Sequence, residues 1–286
     1  MSDSKSQPQR IGFSTGALEK GNYRQAVRWL RNQRVHNVEL SALRLEELEP
    51  LVNDLESLPL GFFSYVSFHA PSSFPATEES NVVQLLGKVF KRGWNIIVHP
   101  DVIRRPALWR HFGRQLLVEN MDRRKADGRT ASELEEYFRE LPQARLCLDV
   151  AHARQLDTTL TVLTELIGMF RSRLGEVHIS ELDSHCSHTL MSALSIEDYL
   201  QVTPRLSRTI PVIIESMLDG LKTDTRMNEL SSAEYAMGDR RPPKNIKTFY
   251  CYLWANTAAE KNHTRIQARH PGRRNGARKV SGRRTQ

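Results

Sequence analysis

Residues 145–157 read RLCLDVAHARQLD. A short apolar run, Leu146–Asp149, closes on a carboxylate, and an amphipathic stretch follows with neither Gly nor Pro between them. This is the pattern of a buried strand feeding directly into a helix. A charge at the end of a buried strand needs a partner, and His152, three residues on, belongs to the same strand-to-helix junction.

The same unit recurs on both sides of it. Strands are expected at Ile11–Ser14, Asn37–Leu40, Tyr65–His69, Ile96–His99, Leu116–Glu119, Leu146–Asp149, Glu176–Ile179 and Val212–Glu215. Helical periodicity fills the gaps at Tyr23–Asn32, Ser132–Leu141, Leu160–Phe170 and Ile196–Gln201, and further helix follows the last strand. Thr130 and Glu133 have the spacing of a capping box at the start of the second of these helices. Eight strand-plus-helix units in roughly 250 residues predict a single α/β domain, a (β/α)8 TIM barrel. A doubly wound open sheet is the alternative, but no Gly-rich phosphate loop follows any strand.

The chain has 286 residues, 39% hydrophobic and 26% charged, ordinary for a soluble protein. The most apolar window, near Leu160–Phe170, is short and interrupted by Glu165, so no membrane span is expected. Cys147, Cys186 and Cys251 are odd in number and lack CxxC spacing, which fits a reducing, cytoplasmic setting better than a disulfide scaffold. The opening MSDSKSQPQR is polar, without a secretory signal.

The net charge of +8 is unevenly spread. Residues 261–286 hold nine Lys and Arg and no acid, whereas the rest of the chain has 32 basic and 33 acidic side chains. The expected organisation is a flexible N-terminus over 1–10, a barrel over 11–258 and a basic disordered tail over 259–286. The tail is either a solvated appendage or an arm for nucleic acid.

The strand ends carry the chemistry. His69, His99, Glu119, Asp149 and Glu215 each close a strand, and His178 stands late in another. In a parallel barrel all strand C-termini open on one face, so these residues converge. Carboxylates crowded into a water-poor mouth repel one another and take up protons unless cations lie between them. Histidine with carboxylate suits zinc, manganese or iron. His152 and, in the loop HISELDSHCSHTLMS, His188 are further candidate ligands, with Asp183 and His185 weaker ones. Glu39 either lines the pocket as a substrate ligand or caps the next helix. Arg104, Arg105, Arg123, Arg124 and Lys125 follow strands four and five, where they face either phosphate or solvent.

This strand-end series resembles the xylose isomerase-like TIM barrel superfamily, which includes sugar isomerases and epimerases and the endonuclease IV group. The resemblance spans Ile11 to Glu215. For the single-metal epimerases it implies an ion held by Glu119, Asp149, His178 and Glu215, with Glu119 and Glu215 as the catalytic acid/base pair. For the endonuclease IV group it implies three ions. His69 and His99 join Glu119 on the first, Asp149, His178 and Glu215 hold the second with Glu119 bridging, and His152 with His188 serves the third. One departure stands out: where the endonuclease loop has an Asp-x-His pair, Cys186 stands two before His188.

The leading expectation is a divalent-metal-dependent isomerase or epimerase of a sugar or sugar phosphate, with one to three ions per chain and Glu39, His152 and Arg123 touching substrate. The alternative is a multinuclear phosphodiester hydrolase. A third reading is an inactive barrel that binds nucleic acid through its tail.

Overall fold

The computed structural model describes residues 10–239. The expected tail at 259–286, the barrel's proposed last residues 240–258 and residues 1–9 lie outside the described residues. Arg10 lies inside them. It is buried and its guanidinium binds Asp239 at 2.6 Å, so the two ends of the described chain are joined.

The strands are β1 (Ile11–Ser14), β2 (Asn37–Ser41), β3 (Tyr65–His69), β4 (Asn95–Val98), β5 (Leu116–Glu119), β6 (Arg145–Asp149), β7 (Leu174–Ile179), β8 (Glu181–Leu182), β9 (His188–Thr189) and β10 (Val212–Ile214). Eight of them close a barrel in the order β1-β10-β7-β6-β5-β4-β3-β2, and each pairing is parallel. The short β8–β9 pair is an antiparallel hairpin beside it. The TIM barrel read from the sequence is therefore the fold. The predicted helix at Tyr23–Asn32 has those bounds, and the helix Ala131–Glu140 is opened by the Thr130–Glu133 capping box.

The strands are buried on both faces but are not uniformly apolar. Val38 and Leu40, Val66 and Phe68, Leu146 and Leu148, and Val177 and Ile179 join the large core between sheet and helices. The alternate residues point into the barrel because side chains switch faces at each step. Most of those are polar: Glu39, Ser67, Glu119, Glu176 and His178 are all buried. The apolar contacts within the barrel reduce to the cluster Ile97, Leu117 and Cys147. Close approach of β1 and β2 depends on Gly12, where an added Cβ would lie 2.0 Å from the Asn37 carbonyl oxygen.

Candidate metal centre

β6 enters the helix Val150–Leu156 with no intervening loop, and Asp149 caps it: Oδ1 accepts from the His152 backbone N–H at 2.7 Å. The other oxygen, Oδ2, is buried without a hydrogen-bond partner. Asn120, just beyond β5, holds the junction in place. Its amide donates to the Asp149 carbonyl at 2.9 Å and accepts from the Asp149 N–H at 2.8 Å. Its own carbonyl lies 2.8 Å from His152 Nδ1. This role is not legible in the sequence, because an asparagine after a strand reads as a loop residue.

Three ligand groups meet at the strand C-termini. In the first, His69 Nε2 lies 3.2 Å and His99 Nε2 3.3 Å from Glu119 Oε2. In the second, His178 Nδ1 lies 3.3 Å from Glu119 Oε1 and 3.3 Å from Glu215 Oε2, with Asp149 completing the group. In the third, Asp149, His152 and His188 each present an atom within 4.8 Å of the others. Glu119 thus belongs to two groups, one oxygen to each. Ser180 Oγ lies 2.7 Å from His188 Nδ1, leaving Nε2 facing Glu215 at 3.8 Å.

Burial raises the Asp149 carboxyl to about 7, with Glu119 and Glu215 adding to the effect and His152 opposing it. Burial also disfavours charge on His69, but Glu119 and the other carboxylates outweigh it and lift that imidazole to about 9. Glu119 is held well below the usual range against its burial, by bonds from His178, His69 and His99. Burial lowers His188 to about 4. The unpartnered oxygen of Asp149 and the histidine–carboxylate donor set fit divalent cations.

A cavity of about 480 Å³ opens over these groups, lined by His69, His99, His152 and Glu215 and on its rim by Arg124 and Lys125. Arg124 is anchored by Asp122, and Lys125 binds Asp101 at 2.6 Å. Asp122, buried and 3.9 Å from His152 Nε2, was not foreseen from the sequence.

The remaining candidates sit elsewhere. Glu39 does not line the cavity; it is fully buried below it, with Oε2 3.1 Å from His178 Nε2. Arg123 is exposed and donates to the Ser184 carbonyl. Asp183 accepts from the backbone N–H groups of His185 and Ser187 and so shapes its own loop, and His185 is exposed; neither belongs to a ligand group. Cys186 is buried at φ 61° and likewise outside the groups. Arg105 pairs with buried Glu79, and the backbone N–H groups of Arg104 and Arg105 bind the same carboxylate, so both are held away from the cavity.

No family model matches the chain, and no curated protein matches it. Among solved structures it is similar to SacUVDE, at 11% identity and a TM-score of 0.43, covering 74% of this chain and 82% of that one. It is also similar to a Pseudomonas aeruginosa protein assigned as an aldo-keto reductase, at 12% identity and a TM-score of 0.41, covering 81% and 91%. The closed parallel barrel is the TIM-barrel fold. Among the described residues no helix is long and apolar enough to cross a membrane.

Proposed function

We propose that the protein is a multinuclear metal-dependent hydrolase of phosphodiesters, with a nucleic-acid backbone as the substrate class. The observation that carries this reading is the position of Glu119, whose two oxygens face two different ligand groups while a third group adjoins them. A one-ion isomerase needs an acid/base pair and can use His152 on its substrate, but it gives His69, His99 and His188 no ion to hold. Divalent ions at these groups supply polarisation of the phosphoryl oxygens and activation of water.

The chain's own residues set the geometry for this. Glu119 fixes the spacing of the first two groups through one rigid carboxylate. The Asn120 carbonyl takes the Nδ1 side of His152, and Ser180 that of His188, which leaves both Nε2 atoms for the site. Arg124 and Lys125, pinned by their aspartates on the rim, orient an anionic backbone over it. The cationic stretch 261–286 agrees with such a partner by charge alone.

The isomerase reading remains the second, favoured by Glu119 and Glu215 both standing 3.3 Å from His178 Nδ1. The deciding experiment incubates zinc- or manganese-loaded protein with a labelled DNA duplex carrying an abasic site, and separately with ketohexoses in deuterated water. Strand cleavage that is lost on chelation is expected. Deuterium uptake into a sugar, with the DNA intact, would overturn the proposal in favour of the isomerase.

A further inference from the structure

His178 has a carboxylate on every side. Its Nδ1 faces the mouth, 3.3 Å from Glu119 and 3.3 Å from Glu215. Its Nε2 faces the barrel interior, 3.1 Å from Glu176 Oε1 and 3.1 Å from Glu39 Oε2. Glu176 stands two residues earlier on β7, so its side chain leaves the strand on the same face one layer deeper. Both interior carboxylates are fully buried.

Glu176 is held by a chain of hydrogen bonds that continues down the barrel. Ser67 donates to Oε1 at 3.2 Å, and Tyr65 donates to Oε2. Asn95 donates to the Tyr65 hydroxyl at 2.7 Å, and Arg145 donates to Asn95 at 2.5 Å. Glu39 is held less completely. Ser41 donates to its Oε1 at 3.3 Å, while Oε2 has His178 alone within ion-pair range and no hydrogen bond of good geometry.

An imidazole that donates from one nitrogen to a fixed carboxylate presents the other as a lone pair of defined direction. The geometry points to Glu176 as the positioning residue that makes His178 an Nδ1 ligand of the second ion, with Glu39 as a buried neighbouring charge beside the same nitrogen. This rests on the metal reading above. It adds to that reading a layer of β2, β3 and β7 residues that never meets substrate. Cys147, Glu176 and His178 also lie close enough together to form a ligand group of their own. However, both Glu176 oxygens are already taken, Oε1 by Ser67 and His178 and Oε2 by Tyr65.

The test uses the full chain loaded with zinc. Two-dimensional nitrogen–proton spectra of its ¹⁵N-labelled histidines should show His178 protonated at Nε2 and coordinated at Nδ1. Chelator competition should show the second ion bound about 10–100-fold more weakly in Glu176→Ala. Glu176→Gln, which keeps an oxygen acceptor, should recover most of that loss, and Cys147→Ala should leave the affinity unchanged. Coordination through Nε2, or wild-type affinity in Glu176→Ala, overturns the assignment. If Glu176→Ala does not fold, the spectrum of the wild-type protein still decides. Wild-type protein that binds no zinc refutes the metal reading itself, and the role of Glu176 with it.

Discussion

Asn120 and Asp149 exchange two hydrogen bonds across neighbouring strand ends, amide to carbonyl at 2.9 Å and N–H to amide oxygen at 2.8 Å. The side chain of one residue thereby continues the ladder for the backbone of the other at the point where β5 and β6 stop. Asn120→Ala leaves a buried N–H and a buried carbonyl unpaired, at about 1–3 kcal/mol for each. Urea denaturation of the metal-free protein should register a loss of about 2–6 kcal/mol. A loss below the experimental error would mean that water replaces the amide at no cost.

Glu119→Gln removes the carboxylate shared by two ligand groups while keeping its shape. Metal analysis after dialysis should show both of those ions lost or greatly weakened. Phosphodiester cleavage should fall by more than the roughly 10–100-fold usual for residues that only orient a ligand. Full stoichiometry in this variant would show that the two groups do not share Glu119.

His188→Ala separates the third group from the others. The expected result is one ion fewer per chain with the other two retained, since Asp149 and His152 alone make a poor site. Elemental analysis reads this directly. An unchanged count would confine the metals to the groups built on Glu119.

Glu229, on the helix Thr223–Ala236, sits behind the centre. Its Oε1 accepts from the Met191 backbone at 2.9 Å and from Ser216 at 2.5 Å, tying the loop after His188 to the residue after Glu215. Burial raises its carboxyl to about 7, while the bonds from Ser216 and Met191 pull the other way. The folded state therefore keeps this proton after the unfolded chain has released it. The contribution to stability is full below about pH 4.5 and is lost as pH rises to about 7. Glu229→Gln keeps the oxygen acceptor without the titration. Relative to wild type, the variant should gain about 3 kcal/mol between pH 4 and pH 8. Parallel urea curves at those two values measure the difference, and a constant offset between the two proteins would rule it out.

The barrel is legible in the sequence because each strand ends in a distinct way, so a one-residue shift such as Asn95–Val98 for the expected Ile96–His99 leaves the count intact. The ligands are legible because a single polar letter after an apolar run is conspicuous. Glu176, Tyr65, Asn95 and Arg145 are harder to read. Tyr65, Asn95 and Arg145 open their strands and Glu176 lies within β7, and their partners lie across the barrel, as Ser67 does for Glu176 at a separation of 109 residues. Only closure of the sheet makes them neighbours. The choice of His188 over His185 is likewise local geometry, since the turn around Asp183 leaves His185 on the outside.

The near absence of apolar packing inside the barrel divides the chain into two sets of letters with different freedoms. Residues facing the helices have only to remain oily and of fitting size, so they can drift widely among Val, Ile, Leu and Phe without loss of shape. Residues facing the axis are few, at most three per strand, and their chemistry leaves them little room to vary. The chemical identity of such a protein therefore rests on a thin column of side chains.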